Sequence, residues 1–387
     1  MAKFLIFCAD GTWNGVMGDG SDDNGQGGLP PHATNVLKTF LWLEGARNDG
    51  SEALHAEMEK GLWVGGDCVQ HAKYIHGVGD GGPVLDKVLG GAFGTGTVSR
   101  IVRGYTYLSR MYEPGDRIVI VGFSRGAYTA RALAGFVLGQ GLMKRVDGQD
   151  KASAYQAALA AWYRYRSRSP TPATALATLL ADFQNPIARI RAAGLDPQDF
   201  VAVPRLEAVA VWDTVGALGI PKPPDEDGRP HDAFRFADTR LSDRVGVGLH
   251  ALAIDERRPP FVQTPWLAAA NVRQMLFAGG HADVGGGFVE RGLSDVALDW
   301  MVAQLRPLGL RFAAQNPDPA FAPDPLATGH ALWQHGAYRL LPPLLRSFAG
   351  QGCAVHDAVR RRLEAPAVRS DPGAAPAKYA PTNLPAG

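Results

Sequence analysis

Short apolar runs alternate along this chain with longer stretches in which apolar residues recur at helical spacing. The runs lie at residues 3–9, 118–121, 206–212, 250–254 and 273–278, and a further strand end is expected at residues 74–80. The helical stretches lie at residues 36–43, 98–112 and 127–138. An apolar run without alternation is typical of a strand buried on both faces, and such strands are covered by helices. The order of strands and helices therefore predicts an α/β protein with a mostly parallel central sheet flanked by helices.

Residues 145–204 interrupt this alternation with a long alanine-rich stretch of helical period. We interpret this segment as a helical insertion, and aromatic and basic residues alternate within it at residues 161–168. Two interpretations stay open for that helix: a solvated surface face, or a lid or membrane-facing element beside the site. Residues 1–364 are expected to form one catalytic domain, and residues 365–387, rich in Ala and Pro, are expected to be a disordered tail.

The composition is that of a soluble globular protein and excludes several classes of function. The 387 residues are 46% hydrophobic and 20% charged, with a formal net charge of +1, and this balance does not suggest a nucleic-acid binder. Three distant cysteines, Cys8, Cys68 and Cys353, do not make a disulfide framework and fit a reducing compartment. We find neither a Sec signal nor an apolar run long enough to span a bilayer, so we expect a cytoplasmic location.

One apolar run ends in Gly-Phe-Ser-Arg-Gly at residues 122–126, and a helical stretch follows. This is the form of a nucleophile elbow, a sharp turn that presents a serine above the edge of the sheet. Gly122 and Gly126 stand where a β-carbon would collide across the bend, and glycine tolerates the unusual torsions. Ser124 is therefore the candidate nucleophile. The backbone N–H of Arg125, at the start of the helix, is a candidate oxyanion donor assisted by the helix dipole.

The first apolar run leads into a second candidate oxyanion element. It continues as Asp-Gly-Thr-Trp-Asn at residues 10–14, a turn at the carboxyl end of a strand, where open α/β sheets bind ligands. The backbone N–H groups of Gly11 and Thr12 are candidates for the second oxyanion donor. An ordinary Asp-Gly turn is the alternative interpretation.

An acid and a base follow later apolar runs. Asp213 and Asp255 each follow such a run directly, and His281 lies on a glycine-rich loop after the last run. The order serine, acid, histidine is the one expected of α/β-hydrolases. His281 would take the proton of Ser124 as a general base, while the acid fixes its tautomer and favours the imidazolium. The residues alone leave Asp213 and Asp255 open as alternative acids.

Two glycine-rich patterns and one histidine pair raise the question of a cofactor or metal, and we discount all three. Residues 77–82 match Gly-x-Gly-x-x-Gly, but Pro83 follows at once and the acid that binds a ribose is missing about twenty residues later. Residues 90–97 lack the Gly-Lys-Ser/Thr ending of a phosphate loop. His281 and Asp283 resemble a metal pair, but no further ligand has a suitable spacing. We therefore expect neither a cofactor nor a metal.

Five motifs carry a family resemblance, at residues 7–14, 122–127, 211–216, 253–258 and 280–287. Through them the chain resembles the DUF2235 family of α/β-hydrolases, which includes the Tle1 group of type VI secretion phospholipase effectors. The resemblance spans residues 3 to about 300 and implies an α/β-hydrolase fold with a Ser-Asp-His site. It implies Asp213 as the acid and leaves Asp255 as a supporting carboxylate paired with Arg257 or Arg258.

The resemblance implies a serine ester hydrolase of the phospholipase or lipase type that needs no cofactor. The implied partners are an ester or phospholipid substrate and, transiently, a membrane surface. For an effector, the resemblance also implies a bacterial source, export by type VI secretion without a Sec signal, and a secretion-apparatus or immunity partner. Secreted members are longer and carry an additional domain. The alternatives are a non-catalytic binding scaffold of the same fold, and a thioesterase or peptidase with the same three groups.

Overall fold

The computed structural model describes residues 2–11, 32–48, 57–77, 93–144, 150–167, 192–216 and 239–385. Its strands are β1 (Phe4–Ala9), β2 (Ala46–Arg47), β3 (Glu57–Val64), β4 (Asp67–Ile75), β5 (Arg117–Phe123), β6 (Leu142–Met143), β7 (Phe200–Val201), β8 (Leu206–Trp212), β9 (Val245–Ala253), β10 (Val272–Phe277) and β11 (Cys353–Val355). Its helices are α1 (Asn35–Trp42), α2 (Phe93–Met111), α3 (Arg125–Gln140), α4 (Lys151–Ser167), α5 (His281–Gly285), α6 (Gly292–Leu305) and α7 (Asp357–Glu364).

Nine of these strands form one sheet in the order β11-β10-β9-β8-β5-β1-β4-β3-β2. The strands from β11 to β4 are parallel to their neighbours, whereas β3 and β2 form an antiparallel edge. β1 is buried throughout and β5 is buried after its first residue, as expected of strands that are covered on both faces. The prediction of an α/β fold with a mostly parallel central sheet flanked by helices is therefore confirmed.

The side chains of the central strands alternate between two hydrophobic cores, one on each face of the sheet. In β1, Leu5 and Phe7 belong to the core that contains residues of α2, α3 and α4. Ile6 and Cys8 belong to the opposite core, which contains residues of α1 and α6. Helices thus close both faces of the sheet, and the carboxyl ends of the strands are the part of it that can carry a site.

The register of the sheet aligns the carboxyl ends of its central strands. Ala9 of β1 pairs with Gly122 of β5, and Phe123 of β5 pairs with Trp212 of β8. On the next strand, Trp212 pairs with Ala251 of β9. The turns that follow these strands therefore begin side by side at one edge of the sheet, and the predicted site residues lie in those turns.

The longest described element of the insertion, α4, packs into the core. Trp162 and Tyr163 are buried, and the Trp162 ring lies 5.2 Å from the ring of Phe136 on α3. The aromatic residues are therefore core residues, and neither a solvated face nor a membrane-facing face describes them. Residues 168–191 of the insertion lie outside the described residues. Within the described ranges, no helix combines the length and the apolar character that crossing a bilayer requires.

Residues 365–385 are ordered against the sheet, in contrast to the disordered tail expected from their composition. The Tyr379 hydroxyl donates to Asp255 Oδ2 at 2.8 Å. The Asn383 side chain donates to the carbonyl oxygen of Ile254 at 3.1 Å. A composition rich in Ala and Pro predicts that helices and strands are scarce, but it carries no information on such side-chain anchors.

Some element boundaries differ from those that the sequence predicts. Ser294 and Asp295 precede an apolar run that ends at Leu305, a pattern that predicts a helix N-cap, but both residues lie inside α6, which begins at Gly292. Asp295 is buried, and its carboxylate accepts from Lys38 Nζ at 2.7 Å. A polar pair before an apolar run resembles a helix cap, but here the acid pairs with a lysine of α1 across the core.

Candidate active site

Ser124 lies at the turn between β5 and α3, as the elbow motif predicts. Its backbone has a φ of 57° and a ψ of −123°, a positive φ that a residue other than glycine rarely adopts. The turn is fixed by the N–H of Ser124, which donates to the carbonyl oxygen of Trp212 at 3.1 Å. Ser124 is the N-cap residue of α3, but its hydroxyl does not cap the helix. Strain of this kind, held in place by the surrounding structure, is typical of functional sites.

Two glycines allow the elbow to bend as tightly as it does. A β-carbon on Gly122 would lie 2.4 Å from the carbonyl oxygen of Gly126, across the bend. A β-carbon on Gly126 would lie 2.1 Å from the carbonyl oxygen of Ala9 and 2.4 Å from that of Asp10. Both contacts are with backbone atoms, which cannot move aside as a flexible side chain can. The glycines therefore let α3 begin directly against the end of β1.

His281 is the first residue of the short helix α5, so it does not lie on an open loop as predicted. Its Nδ1 lies 2.5 Å from Asp213 Oδ2. The imidazole packs between two aromatic rings, with centroid distances of 4.6 Å to Phe123 and 5.0 Å to Phe261. Its backbone N–H donates to Glu256 Oε2 at 3.2 Å. These contacts fix both the position and the orientation of the imidazole.

The contact with Asp213 also determines which nitrogen of His281 carries the proton. An ionised carboxylate only accepts hydrogen bonds, so Nδ1 is the donor and Nε2 of a neutral ring can accept a proton. Burial lowers the pKa of His281 below its usual value, and the hydrogen bond and the charge of Asp213 offset part of that shift. The ring is therefore neutral, and able to act as a base, at neutral pH.

Asp213 is completely buried, yet the surroundings favour its ionised form. Burial alone would raise its pKa, but the Arg346 cation and the hydrogen bond with His281 hold that pKa well below its usual range. Asp213 Oδ1 also accepts from the N–H of Ala253 at 3.0 Å. The backbone of Asp213 itself has a positive φ of 36°. The strain and the donors together direct the carboxylate toward His281.

Arg346 is the functional residue that the sequence reasoning missed. Its guanidinium donates to both carboxylate oxygens of Asp213, at 2.6 and 3.0 Å, and to the carbonyl oxygens of Ala253 at 2.9 Å and Phe261 at 2.6 Å. Arg346 belongs to none of the recognised motifs. The one sequence signal for Arg346 is its position directly after the apolar run Leu-Leu-Pro-Pro-Leu-Leu. An arginine that is buried beside such a run needs a buried anion as its partner.

Ser124 and His281 lie at the same edge of the sheet, but the structure, which describes both residues, has no hydrogen bond between their side chains. The Phe123 ring, next to Ser124 in the chain, contacts the imidazole. A β-carbon on Gly285 would lie 1.9 Å from that ring, so glycine there lets α5 approach the elbow. In ligand-free sites the bond between nucleophile and base is often long, and it shortens when substrate binds.

The three candidate oxyanion donors have different outcomes. Gly11 lies beside the nucleophile, since a β-carbon on it would be 3.2 Å from Ser124 Cβ. Its N–H, however, donates to Asp10 Oδ1 at 2.6 Å, so the prediction that Gly11 supplies an oxyanion donor is not supported. Thr12 lies outside the described residues. Arg125 is the first residue of α3, as predicted, and its N–H stays a candidate donor.

Asp10 anchors the end of β1. Its Oδ2 accepts from the Tyr74 hydroxyl at 2.6 Å and from the Thr34 hydroxyl at 2.7 Å. Its carbonyl oxygen accepts from Arg100 Nη2 at 2.6 Å. Burial raises the pKa of Asp10 to about 6 in spite of these donors. Through its carboxylate and its carbonyl oxygen, Asp10 therefore joins the end of β1 to β4, the start of α1 and α2.

The structure brings Asp213, and not Asp255, to the imidazole. Asp255 Oδ2 accepts from the N–H of Gly279 at 2.7 Å and from the hydroxyl of Tyr379, and burial raises its pKa to about 6. The expected pairing of Asp255 with Arg257 or Arg258 is wrong. A different acid, Glu256, makes the bidentate pair with Arg258, and the Arg257 guanidinium lies over the ring of Trp333.

The carboxylate of Asp283, in the His281-x-Asp283 pair, binds Gly280 and His330. Asp283 Oδ2 accepts from the N–H of Gly280 at 2.8 Å, and Asp283 Oδ1 lies 2.7 Å from His330 Nδ1. Both oxygens are therefore directed away from the His281 ring. Within the described ranges, no three His, Cys, Asp or Glu side chains group as metal ligands. Of the Gly-x-Gly-x-x-Gly pattern, all but Gly77 lies outside the described residues.

Residues 3–304 match the family model described as "T6SS, Phospholipase effector Tle1-like, catalytic domain". The chain belongs to this family. The resemblance to DUF2235 and to the Tle1 group is therefore confirmed. The elbow, Asp213 and His281 all lie within the region that defines the Tle1-like family, whereas Arg346 lies beyond it.

Individual relatives of this Tle1-like chain are distant. "Uncharacterized protein YEL023C" of Saccharomyces cerevisiae is 28% identical over 262 residues, which are 67% of this chain and 32% of the yeast protein. An uncharacterised Pseudomonas aeruginosa protein of known crystal structure is 17% identical, with a TM-score of 0.46, over 81% of this chain and 47% of that one. A Tle1 effector, solved bound to the VgrG spike of the type VI secretion system, is 18% identical, with a TM-score of 0.37, over 74% and 51%. The chain thus spans a third to a half of the proteins it matches.

Proposed function

We propose that the chain hydrolyses acyl esters, with phospholipids as the substrate class, and that Ser124, His281 and Asp213 carry the reaction. The observation that carries this proposal is the 2.5 Å contact between His281 Nδ1 and Asp213 Oδ2 at the edge where the strained Ser124 elbow lies. An ionised acid that holds one nitrogen of a neutral imidazole leaves the other nitrogen able to accept a proton from an alcohol. Membership of a phospholipase effector family supports the substrate class.

The reaction would proceed in two halves. His281 Nε2 takes the proton of Ser124 as Oγ attacks the ester carbonyl carbon, and the negative charge on the carbonyl oxygen is stabilised by the N–H of Arg125 and the dipole of α3. The tetrahedral intermediate collapses and the C–O bond to the alcohol breaks, with the proton on His281 passing to the leaving oxygen. Water, deprotonated by His281, then attacks the acyl carbon. The bond between that carbon and Ser124 Oγ breaks, His281 returns the proton to Oγ, and the fatty acid is released.

Asp213 would stabilise the charge that forms on His281 during this cycle, and Arg346 would hold Asp213 in position. Asp213 stabilises the imidazolium form of His281, because the two groups form a charge-assisted hydrogen bond. Arg346 holds Asp213 by both oxygens, so the carboxylate cannot rotate away from the imidazole as the reaction proceeds. The same cation limits how strongly Asp213 raises the pKa of His281, and this keeps the base neutral at working pH.

Hydrolysis of phospholipid vesicles tests the proposal. We expect the wild type to release free fatty acid and lysophospholipid, and Ser124→Ala to lose activity about 10⁴-fold or more. The Ser124 hydroxyl makes no cap hydrogen bond, so the unfolding free energy of the variant should change by less than about 1 kcal/mol. Folded wild type that hydrolyses neither phospholipids nor short-chain p-nitrophenyl esters would favour the binding scaffold instead.

The family description also supports a proposal about location. We propose that the chain is exported by a type VI secretion apparatus and binds a component of it, because its family is one of type VI effectors. The test is the amount of the chain outside cells with and without a working apparatus. Equal release from both would contradict this proposal and leave the hydrolase proposal unaffected.

A further inference from the structure

An exposed apolar segment lies directly before Arg346. Residues 340–345 read Leu-Leu-Pro-Pro-Leu-Leu, and we call them the leucine segment. Its four leucines have relative solvent exposures of 79%, 39%, 44% and 47%, in chain order. Soluble proteins rarely place so many large apolar side chains together in water, and such patches mark surfaces that bind something.

The leucine segment forms part of the rim of the candidate active site. Its Leu344 donates its N–H to the carbonyl oxygen of Arg257 at 2.8 Å, and the Gln263 side chain donates to the carbonyl oxygen of Ser347 at 2.9 Å. These bonds hold the segment along the turn at residues 257–263. That turn carries Phe261, whose ring packs against His281, so the exposed leucines and the catalytic imidazole are separated by one short turn.

The aromatic contacts of the turn make the connection continuous. The Phe261 ring lies 5.0 Å from the His281 ring on one side and 6.2 Å from the Tyr338 ring on the other, centroid to centroid. Tyr338 is two residues before the leucine segment. Val262, next to Phe261, is itself 37% exposed. Ring contacts therefore connect the imidazole to the start of the segment, and the Arg258 guanidinium lies over the Phe261 ring at 3.6 Å.

Charge and backbone chemistry both fit a lipid surface. The chain has no Asp or Glu between Asp324 and Asp357, and the exposed Arg339 stands at the start of the leucine segment. An anionic headgroup would therefore meet the cation of Arg339 and no carboxylate from this stretch of the chain. Pro342 and Pro343 have no backbone N–H, so the middle of the segment leaves fewer polar groups to be desolvated when it enters an apolar layer.

We propose that the leucine segment binds the surface of a phospholipid bilayer and places the entrance of the active site at that surface. The inference rests on the proposed function, since it names the place where the lipid substrate is met. Leucine side chains would enter the boundary between headgroups and acyl chains, and Arg339 would remain among the headgroups. The substrate would then pass from the bilayer along Phe261 to Ser124.

The test compares Leu340→Ser/Leu344→Ser with the control Leu267→Ser, which changes a leucine that is 53% exposed and lies outside the segment. All are made in the Ser124→Ala background and sedimented with vesicles of phosphatidylcholine and phosphatidylglycerol. We expect binding to fall about tenfold or more in the double variant and to stay unchanged in the control. The double variant is also made with Ser124 present. Its vesicle hydrolysis should fall in proportion to its vesicle binding, whereas its turnover of p-nitrophenyl butyrate and its melting temperature should stay unchanged.

Vesicle binding of the double variant equal to that of the parent protein would overturn the inference. So would a parent protein that self-associates in solution together with a double variant that is monomeric, because the segment would then be an interface between two copies of the chain. Sedimentation requires no turnover, so the inference and the hydrolase proposal can fail separately. Wild type that hydrolyses no ester, together with a double variant that loses vesicle binding, would reject the hydrolase and keep the surface. Ester turnover with unchanged vesicle binding would do the reverse.

Discussion

Asp213 is held on one side by Arg346 and on the other by His281. Because its pKa lies well below the usual range, it stays ionised throughout the pH interval in which a histidine titrates. An imidazolium formed during catalysis would therefore always meet a carboxylate. The Arg346 guanidinium partly compensates the negative charge of Asp213, and burial lowers the pKa of His281. The site thus combines a fixed acid with a base that is not held protonated.

Exchange of each aspartate for asparagine separates the two acids that the sequence left open. Asp213→Asn should reduce kcat about 10³- to 10⁴-fold, because the amide no longer stabilises the imidazolium or fixes the donor at Nδ1. Asp255→Asn, the matched control, should stay within several-fold of wild type, since Asp255 contacts Gly279 and Tyr379. The measurement is steady-state ester hydrolysis. Equal losses in the two variants would contradict the assignment of Asp213.

The pH profile of Arg346 variants tests its role as a positioning residue. In wild type, kcat/KM should fall on the acid side with an apparent pKa below the usual histidine value, because burial lowers the pKa of His281. In Arg346→Ala, Asp213 is no longer shared with a cation, so the pKa of His281 should rise and the acid limb should move to higher pH. We expect kcat to fall about 10- to 100-fold as the carboxylate loses its fixed orientation.

Arg346→Lys is the conservative control, because a lysine keeps the charge but cannot bind both carboxylate oxygens in the same plane. Its acid limb should lie near that of wild type, while kcat recovers only in part. If Arg346→Ala lowers kcat with an unmoved acid limb, the arginine is merely structural.

The elbow owes its geometry to the place where α3 meets β1. Gly126→Ala would put a methyl group against two carbonyl oxygens, and we expect it to cost about 1–3 kcal/mol or more of unfolding free energy and to displace Ser124. Gly135→Ala on the same helix is the matched control. Its β-carbon would meet only the Tyr165 hydroxyl, at 3.2 Å, so its effect should stay within about 1 kcal/mol. Chemical denaturation measures both, and equal losses would refute the steric explanation.

The turns of the candidate site could be predicted because each of them follows a buried strand. Parallel strands end at one edge, so a serine, an acid and a histidine placed after apolar runs are brought together by topology alone. The choice of Asp213 over Asp255 depends on which way each carboxylate turns, and the residues carry no signal for this. Arg346 was missed because a buried salt bridge joins residues far apart in the chain, with no spacing rule to reveal it.

The antiparallel edge and the C-terminal residues were missed for related reasons. β3 is largely exposed or half-buried and contains three charged residues, Glu57, Glu59 and Lys60, so it lacks the apolar run that marked the central strands. The tail is ordered by single anchors such as Tyr379, which a composition rich in Ala and Pro does not reveal. The side chains of α4 were expected at the surface. Their packing against α3 is a tertiary contact, which the local sequence does not reveal.

Residues beyond position 304 contact the turns that form the candidate site. Arg346 binds Asp213, and Asn383 in turn donates to the carbonyl oxygen of Arg346 at 3.1 Å. Tyr379 donates to Asp255 at the end of β9. These contacts tie the C-terminal residues to the turns that carry the catalytic groups. Stability of the whole fold and order in the site should therefore be lost together when the tail is loosened.

The pH dependence of stability in Tyr379→Phe tests the contribution of the Tyr379 anchor to the fold. Burial raises the pKa of Asp255 to about 6, so its carboxyl is least favourable to folding above that pH, where it is ionised. The Tyr379 hydroxyl stabilises the ionised form. Its removal should cost about 1.5–3 kcal/mol of unfolding free energy near pH 8, but only about 0.5–1.5 kcal/mol near pH 5. Denaturation at both pH values measures the difference, and a loss larger at acid pH would contradict the assigned hydrogen bond.

Covalent labelling addresses the central claim, that Ser124 is a nucleophile activated by His281. The folded protein is incubated with a fluorophosphonate probe, and the adduct is located by mass spectrometry of its peptides. We expect one adduct on Ser124, no adduct in Ser124→Ala, and labelling slowed at least about 10²-fold in His281→Ala. A folded wild-type protein that acquires no adduct, or acquires it at another residue with Ser124 unmodified, would contradict the claim.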